Sequence, residues 1–566
     1  MFRRFQAALA GVLLALCAPA AAQDYDIIIR DGMVYDGQGG APYPADVAIE
    51  ADRIAAIGDL DGATAEREIE AEGLAVAPGF INMLSWATQS LIEDGRSQSD
   101  IRQGVTLEVF GEGWSMGPLT QEMKAEMEED QGDIKFDVSW TTLGEYLDFL
   151  EKKGVSTNVA SFVGATTLRV HEVGRDNKKA TPEQTERMQE LVRQAMREGA
   201  LGVGSSLIYA PANFADTDEL VALTAAAHEF GGTYISHLRS EAERYEQAID
   251  EILEIGRRTG APVQIYHMKP AGKDNWDKSI PMLKKLSDAR ENGIDVTANI
   301  YPYTAGSTGL YATMPLWVQE GGHDAWVARL KDPEIRARVI AEMRAPAVGW
   351  ENLLHHAGGP ENVLLTGFKN DKLKPLTGKT LAEVARMRGT SPEDTIIDLV
   401  IEDDSRVDAI YFLMTEENIR RNIAWPWTMV GSDAGSVSAE GVFLESNPHP
   451  RAYGTFARFL GKYVREETVI PLEEAIHRLT GLPAEQLKLH GRGRLAEGYL
   501  ADVVVFDPAT IVDKATYDKP HQYAVGVEHV LVNGTPVISE GEHTGATPGR
   551  FVRGPGWTGW KESAPK

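Results

Sequence analysis

Two stretches decide the fold: Thr233-Tyr-Ile-Ser-His237 and Val263-Gln-Ile-Tyr-His267. Each is a short apolar run rich in β-formers that ends on a histidine. The two histidines lie 30 residues apart, the length of one strand–helix–strand unit. Between them, Tyr245–Thr259 carries helical spacing, so the pair reads as neighbouring parallel strands. Working outward, similar runs occur at Ala75–Leu84, Val105–Phe110, Thr157–Val163, Leu201–Leu207, Asp295–Tyr301 and Trp427–Gly431. Helical segments separate several of them, among them Thr181–Glu198, opened by Thr181-Pro182-Glu183. Eight alternating units predict a (β/α)8 TIM-like barrel in an α/β chain, spanning 79–484.

The rest of the chain fits around that barrel. An interval of about 311–426 holds helical patterns at Glu334–Met343, Leu381–Arg388 and Pro392–Ile401, and predicts an insertion domain late in the barrel. Residues 23–78 and 485–566 have β texture without helical period: Tyr25–Arg30, Asp46–Glu50 and Arg53–Ile57 at one end, Ala501–Phe506 and Val527–Val532 at the other. Together they predict one small β-sandwich domain built from both chain ends. Residues 1–22 read as a cleaved signal peptide, with Arg3 and Arg4 before a short apolar stretch and an Ala-x-Ala site, so the chain is expected to be exported, periplasmic or secreted.

Composition excludes several functions. The net charge of −28 disfavours a nucleic-acid partner. No later segment is apolar for long enough to span a membrane. The single cysteine, Cys17, lies inside the signal segment. The mature chain therefore has no thiol for a disulfide, a nucleophile or a metal ligand.

In such barrels the chemistry sits where strands end. His237 and His267 end adjacent strands, and Asp433 follows the last run. Two imidazoles and a carboxylate suit Zn²⁺. A divalent ion lowers the pKa of its water, and a nearby carboxylate can take the proton.

Further stretches carry a resemblance: Ala77-Pro-Gly-Phe-Ile, Gln103-Gly-Val-Thr, Ala200–Pro211, Tyr234–Glu241, Gln264–Lys269, Tyr301–Thr308, Gly431-Ser-Asp, His449–Phe456, Gly491–Asp502 and Gly549-Arg550. Over about residues 25–555 the chain resembles the amidohydrolase superfamily, and within it the D-aminoacylase (N-acyl-D-amino-acid deacylase) family. The resemblance implies that His237 and His267 are metal ligands and Asp433 the general base. It implies that Lys269, Tyr303, Ser307 and Arg451 hold a substrate carboxylate, and that Tyr209 polarises the scissile carbonyl. The implied activity is hydrolysis of a carbon–nitrogen amide bond in N-acyl amino acids of D configuration, or in small dipeptides, by a metal-activated water. A different amide or a cyclic imide is an alternative substrate; a catalytically lapsed ligand-binding barrel is the alternative of another class.

Two departures stand out. The family's His-x-His after the first strand is replaced by Leu84 and Trp86, and its preceding Asp by Asn82. Its cysteine ligand is absent, and the corresponding segment reads Phe110-Gly-Glu-Gly-Trp-Ser. Glu112 is the nearest replacement ligand, with Glu241 and Glu108 as weaker alternatives, so about one Zn²⁺ per chain is expected. His449 is a candidate for tuning Asp433, or else simply structures its loop. Trp86, Trp114, Met314 and Trp317 are candidates for an apolar pocket, or else for ordinary core packing.

Overall fold

The computed structural model describes residues 23–560. The expected signal segment and Cys17 lie outside them. Eight strands form the barrel in sequence order: Phe80–Asn82, Val105–Phe110, Asn158–Ser161 continuing into Val163–Gly164, Gly202–Ser206, Thr233–His237, Val263–Ile265, Val296–Ile300 and Thr428–Val430. All the paired neighbours are parallel. The ring closes between last and first strands, where Met83 N donates to Val430 O at 3.2 Å and Asp433 N to Leu84 O at 2.8 Å. The strands are buried along their whole length, because side chains fill the inside and helices cover the outside; this is why they read as continuous apolar runs rather than alternating ones.

The covering helices follow local rules. Pro182–Glu198 starts at a Thr181 capping box with Gln184, has proline in its first turn, and stops at left-handed Gly199. Tyr245–Thr259 buries Ile249, Ile252 and Ile255 against the barrel and stops at Gly260. Each such fully buried side chain contributes about 1.5–3 kcal/mol relative to exposure.

One apolar run serves two sheets. Ala75–Leu84 divides at Pro78-Gly79: Ala75–Pro78 pairs antiparallel with Val503–Phe506, and Phe80–Asn82 enters the barrel. The small domain is a continuous nine-stranded sheet in which that pairing joins the two chain ends. Its core gathers Ile27, Ile29, Val47, Ile54, Val76, Val503 and Leu531 from both halves. The inserted lobe carries an antiparallel sheet of Ala305–Gly309, Asp408–Phe412 and Val363–Gly367, with helices His323–Leu330, Pro333–Arg344, Leu381–Arg388 and Pro392–Asp403. It thus begins at residue 305. Helix Glu416–Ala424 packs on the seventh and eighth barrel strands rather than within the lobe. Among the described residues, no helix is long and apolar enough to cross a membrane.

Candidate metal centre and active site

Glu112 follows the second barrel strand and is flanked by Gly111 and Gly113, both at positive φ, 108° and 73°. A Cβ on Gly111 would meet Phe162 O at 2.4 Å, and one on Gly113 would meet Ser206 Cβ at 2.6 Å. Only glycine allows this loop to lie so close to the third and fourth strands. The tight turn delivers Glu112 to the barrel mouth. There its Oε1 lies 2.9 Å from His237 Nδ1 and 2.9 Å from His267 Nε2. His237 is the last residue of the fifth strand, and His267 stands just past the sixth. Its amide donates to Asn299 Oδ1 of the seventh strand at 2.8 Å. His267 and Asp433 are both left-handed, with φ of 33° and 50°, a conformation costing a non-glycine residue about 1–3 kcal/mol and common where a site over-determines the backbone.

One ligand atom each from Glu112, His237 and His267 lies within 4.8 Å of the others, and all three residues are buried. Two imidazole nitrogens facing one carboxylate oxygen require something positive among them. Two histidines and a carboxylate are a donor set for Zn²⁺, so the residues fit the ion expected from the sequence. Burial opposes ionisation of Glu112, yet His267 and His237 overcome it and hold its carboxyl down at about 2.

Behind the cluster, Glu241 lies against both imidazoles. Its Oε1 lies 3.1 Å from His267 Nδ1, and its Oε2 lies 3.8 Å from His237 Nε2. For His267, a carboxylate accepting the Nδ1–H would fix the tautomer that leaves Nε2 free to coordinate; His237 instead turns its Nδ1 to Glu112, and its Nε2 has no hydrogen-bond partner. Burial works against the Glu241 charge, but Lys269 and the two histidines outweigh it and depress its pKa. Lys269 Nζ donates to Glu241 Oε1 at 2.7 Å and to His267 O at 3.1 Å. It is therefore tied to the metal cluster, and it also lines the cavity.

Asp433 lies across the mouth. Its Oδ1 accepts from Trp86 Nε1 at 3.1 Å, and the same indole N–H reaches Glu112 Oε2 at 3.0 Å. Arg451 NH1 lies 2.7 Å from Asp433 Oδ2. Burial pushes the Asp433 carboxyl above its ordinary value, while Arg451 draws it back. Arg451, not His449, faces this base. His449 Nε2 donates to Ala305 O at 3.0 Å, and its Nδ1 accepts from Arg451 N at 3.0 Å. Burial, with Arg451 adding to it, keeps His449 well below the usual imidazole range; it is a neutral loop brace.

These groups line a cavity of about 340 Å³, within the range of small-molecule sites. Its walls include Tyr209, Tyr301, Ser307, Trp114 and Trp86. Tyr209 stacks edge-on against His237 with ring centroids 5.3 Å apart. Ser307 Oγ donates to Ala409 O at 3.2 Å. Tyr303 is placed elsewhere: it is buried beside Pro450 and Asp513, and Tyr301, two residues earlier, takes the wall position. Met314 belongs to the lobe's core, and Trp317 donates to Glu342 there at 2.9 Å; neither lines the cavity. Glu108 lies below the site, bound to Asn82 at 3.0 Å. The sequence reading missed Tyr301 and also Arg406, which projects from the lobe into the cavity and pairs with Asp408 at 3.2 Å. No strand-end signal marks Arg406.

Residues 67–538 match the Amidohydrolase family. A D-aminoacylase of Alcaligenes xylosoxydans xylosoxydans is 34% identical over 534 residues, covering 94% of this chain and 98% of the relative. Among solved structures, the N-acyl-D-glutamate deacylase of Bordetella bronchiseptica, complexed with zinc and a phosphonate that mimics the tetrahedral intermediate, superposes with a TM-score of 0.77 at 31% identity, covering 94% of this chain and all of the other. A D-aminoacylase studied for its binuclear metal centre gives a TM-score of 0.77 at 34% identity, over 94% of this chain and all of the other. The site's geometry, the extent of the family match and these relatives lead to one assignment: the chain belongs to the amidohydrolase family, in its D-aminoacylase branch.

Proposed function

We propose that this chain is a zinc-dependent deacylase of N-acyl-D-amino acids, holding one ion per chain and exported by way of residues 1–22. The observation that carries the reading is the convergence of Glu112, His237 and His267 on one point beside Asp433 at the cavity floor. The relatives named above act on N-acyl-D-amino acids, which supports the substrate class and the configuration.

Bound Zn²⁺ at Glu112, His237 and His267 would supply Lewis acidity and an acidified water. Asp433 accepts a proton at its carboxylate and later returns it to the leaving amine, a role that its raised pKa favours. Arg451 binds the substrate carboxylate. It is buried, it lines the cavity beside Asp433, and its Nε has no hydrogen-bond partner. A buried guanidinium with unspent donors facing a cavity matches a planar anion. Tyr209 lies close enough to His237 to donate toward a developing oxyanion.

The test is a panel of N-acetyl D- and L-amino acids, scored for released amine with metal-depleted and zinc-reconstituted protein. Release from the D series that depends on zinc is expected. No release from any member by fully reconstituted protein overturns the reading. Fractionation of expressing cells checks the export.

A further inference from the structure

The indole of Trp86 has an unusual pair of partners. Its single N–H points between Glu112 Oε2 at 3.0 Å and Asp433 Oδ1 at 3.1 Å. Both carboxylates are buried, and each has its other oxygen anchored outward: Glu112 Oε1 on His237 and His267, Asp433 Oδ2 on Arg451. Two carboxylate oxygens that close to one point repel each other unless a positive group lies between them. The group that reaches both oxygens is the indole N–H, with its partial positive charge. The backbone fixes it there, since Trp86 N donates to Ala434 O at 2.9 Å, next to Asp433. Trp86 is 39% exposed and forms cavity wall rather than core.

We infer that Trp86 is a positioning residue that substitutes for a second cation. Its N–H bridges the ligand carboxylate and the base, aims Glu112 Oε1 at the first ion, and keeps a second ion from the same two oxygens. This rests on the reading of Glu112, His237 and His267 as ligands, and it assigns Trp86 no contact with substrate.

The experiment is a zinc titration of metal-depleted wild type and Trp86→Phe, with bound ions counted by elemental analysis and the first-ion affinity measured by chelator competition. Trp86→Leu serves if Trp86→Phe does not fold. Wild type is expected to hold one ion. The variant is expected to take up a second, weaker ion at the freed carboxylates, or to bind the first 10- to 100-fold more weakly, the range seen when partners of metal ligands are removed. A variant with one ion and affinity within twofold of wild type overturns the inference alone, as does a wild type that holds two ions. A wild type that binds none overturns the ligand assignment itself.

Discussion

Zinc uptake by this site should weaken steadily as the pH falls below about 9. In the metal-free chain, burial and Lys269 oppose a proton on His267, but Glu241 and Glu112 prevail and lift its pKa to about 9. The ring must shed that proton before Nε2 can coordinate. pH 7 lies about two units below that pKa. Displacing the proton there costs about 3 kcal/mol, on the order of a hundredfold in apparent affinity. Glu112, held down at about 2, adds no proton in this range. Chelator competition from pH 6 to pH 10 should therefore give a tenfold change in dissociation constant per unit, flattening above about 9. Calorimetry in buffers of different ionisation enthalpy should count at least one proton released at pH 7. A dissociation constant that is flat between pH 6 and 8 would refute the reasoning. The metal-free fold should respond in the opposite sense. His267 has a folded pKa above its unfolded value of 6.5. It therefore contributes about 3 kcal/mol that is fully present below pH 6.5 and lost as the pH rises through about 9.

Two further outcomes follow from the same charges. Lys269→Met leaves Glu241 buried without its cation and should destabilise the fold by about 3–5 kcal/mol in denaturant unfolding; adding Glu241→Gln should recover most of that loss, and a single variant losing under about 1 kcal/mol would show that the pair is not charged. Asp433→Asn should lower kcat by about 10²- to 10⁴-fold with zinc content unchanged, and retention of wild-type kcat would remove Asp433 from the role of base.

The barrel was legible in the sequence because its strands are buried on both faces, so each appears as an apolar run. The run Ala75–Leu84 concealed a boundary because the chain changes hydrogen-bonding partners at Gly79 without changing polarity. His237, His267 and Asp433 were legible as polar residues closing apolar strands. Glu112 was legible only through the resemblance, as the carboxylate nearest the place of the missing cysteine. Tyr301 and Tyr303 could not be told apart, since two residues in an irregular segment past a strand decide which ring faces the cavity. The ion pair of Lys269 with Glu241 was not legible, because Glu241 reaches it from the loop after a different strand. The bridge at Trp86 joins partners 26 and 347 residues away, and no local pattern records a contact of that range.

The pairing of Ala75–Pro78 with Val503–Phe506 also constrains the order of biogenesis. The small domain is begun by strands made before the barrel and completed by strands made after it. At about 5–20 residues per second, the intervening chain takes on the order of 20 to 90 s to synthesise. Throughout that time Ala75–Pro78 presents an open, apolar strand edge, the kind of surface that recruits foreign strands. A nascent chain stalled or truncated before residue 503 keeps that edge exposed even with every barrel strand made. Holdase protection during synthesis should therefore matter more for this protein than the self-contained appearance of its barrel suggests.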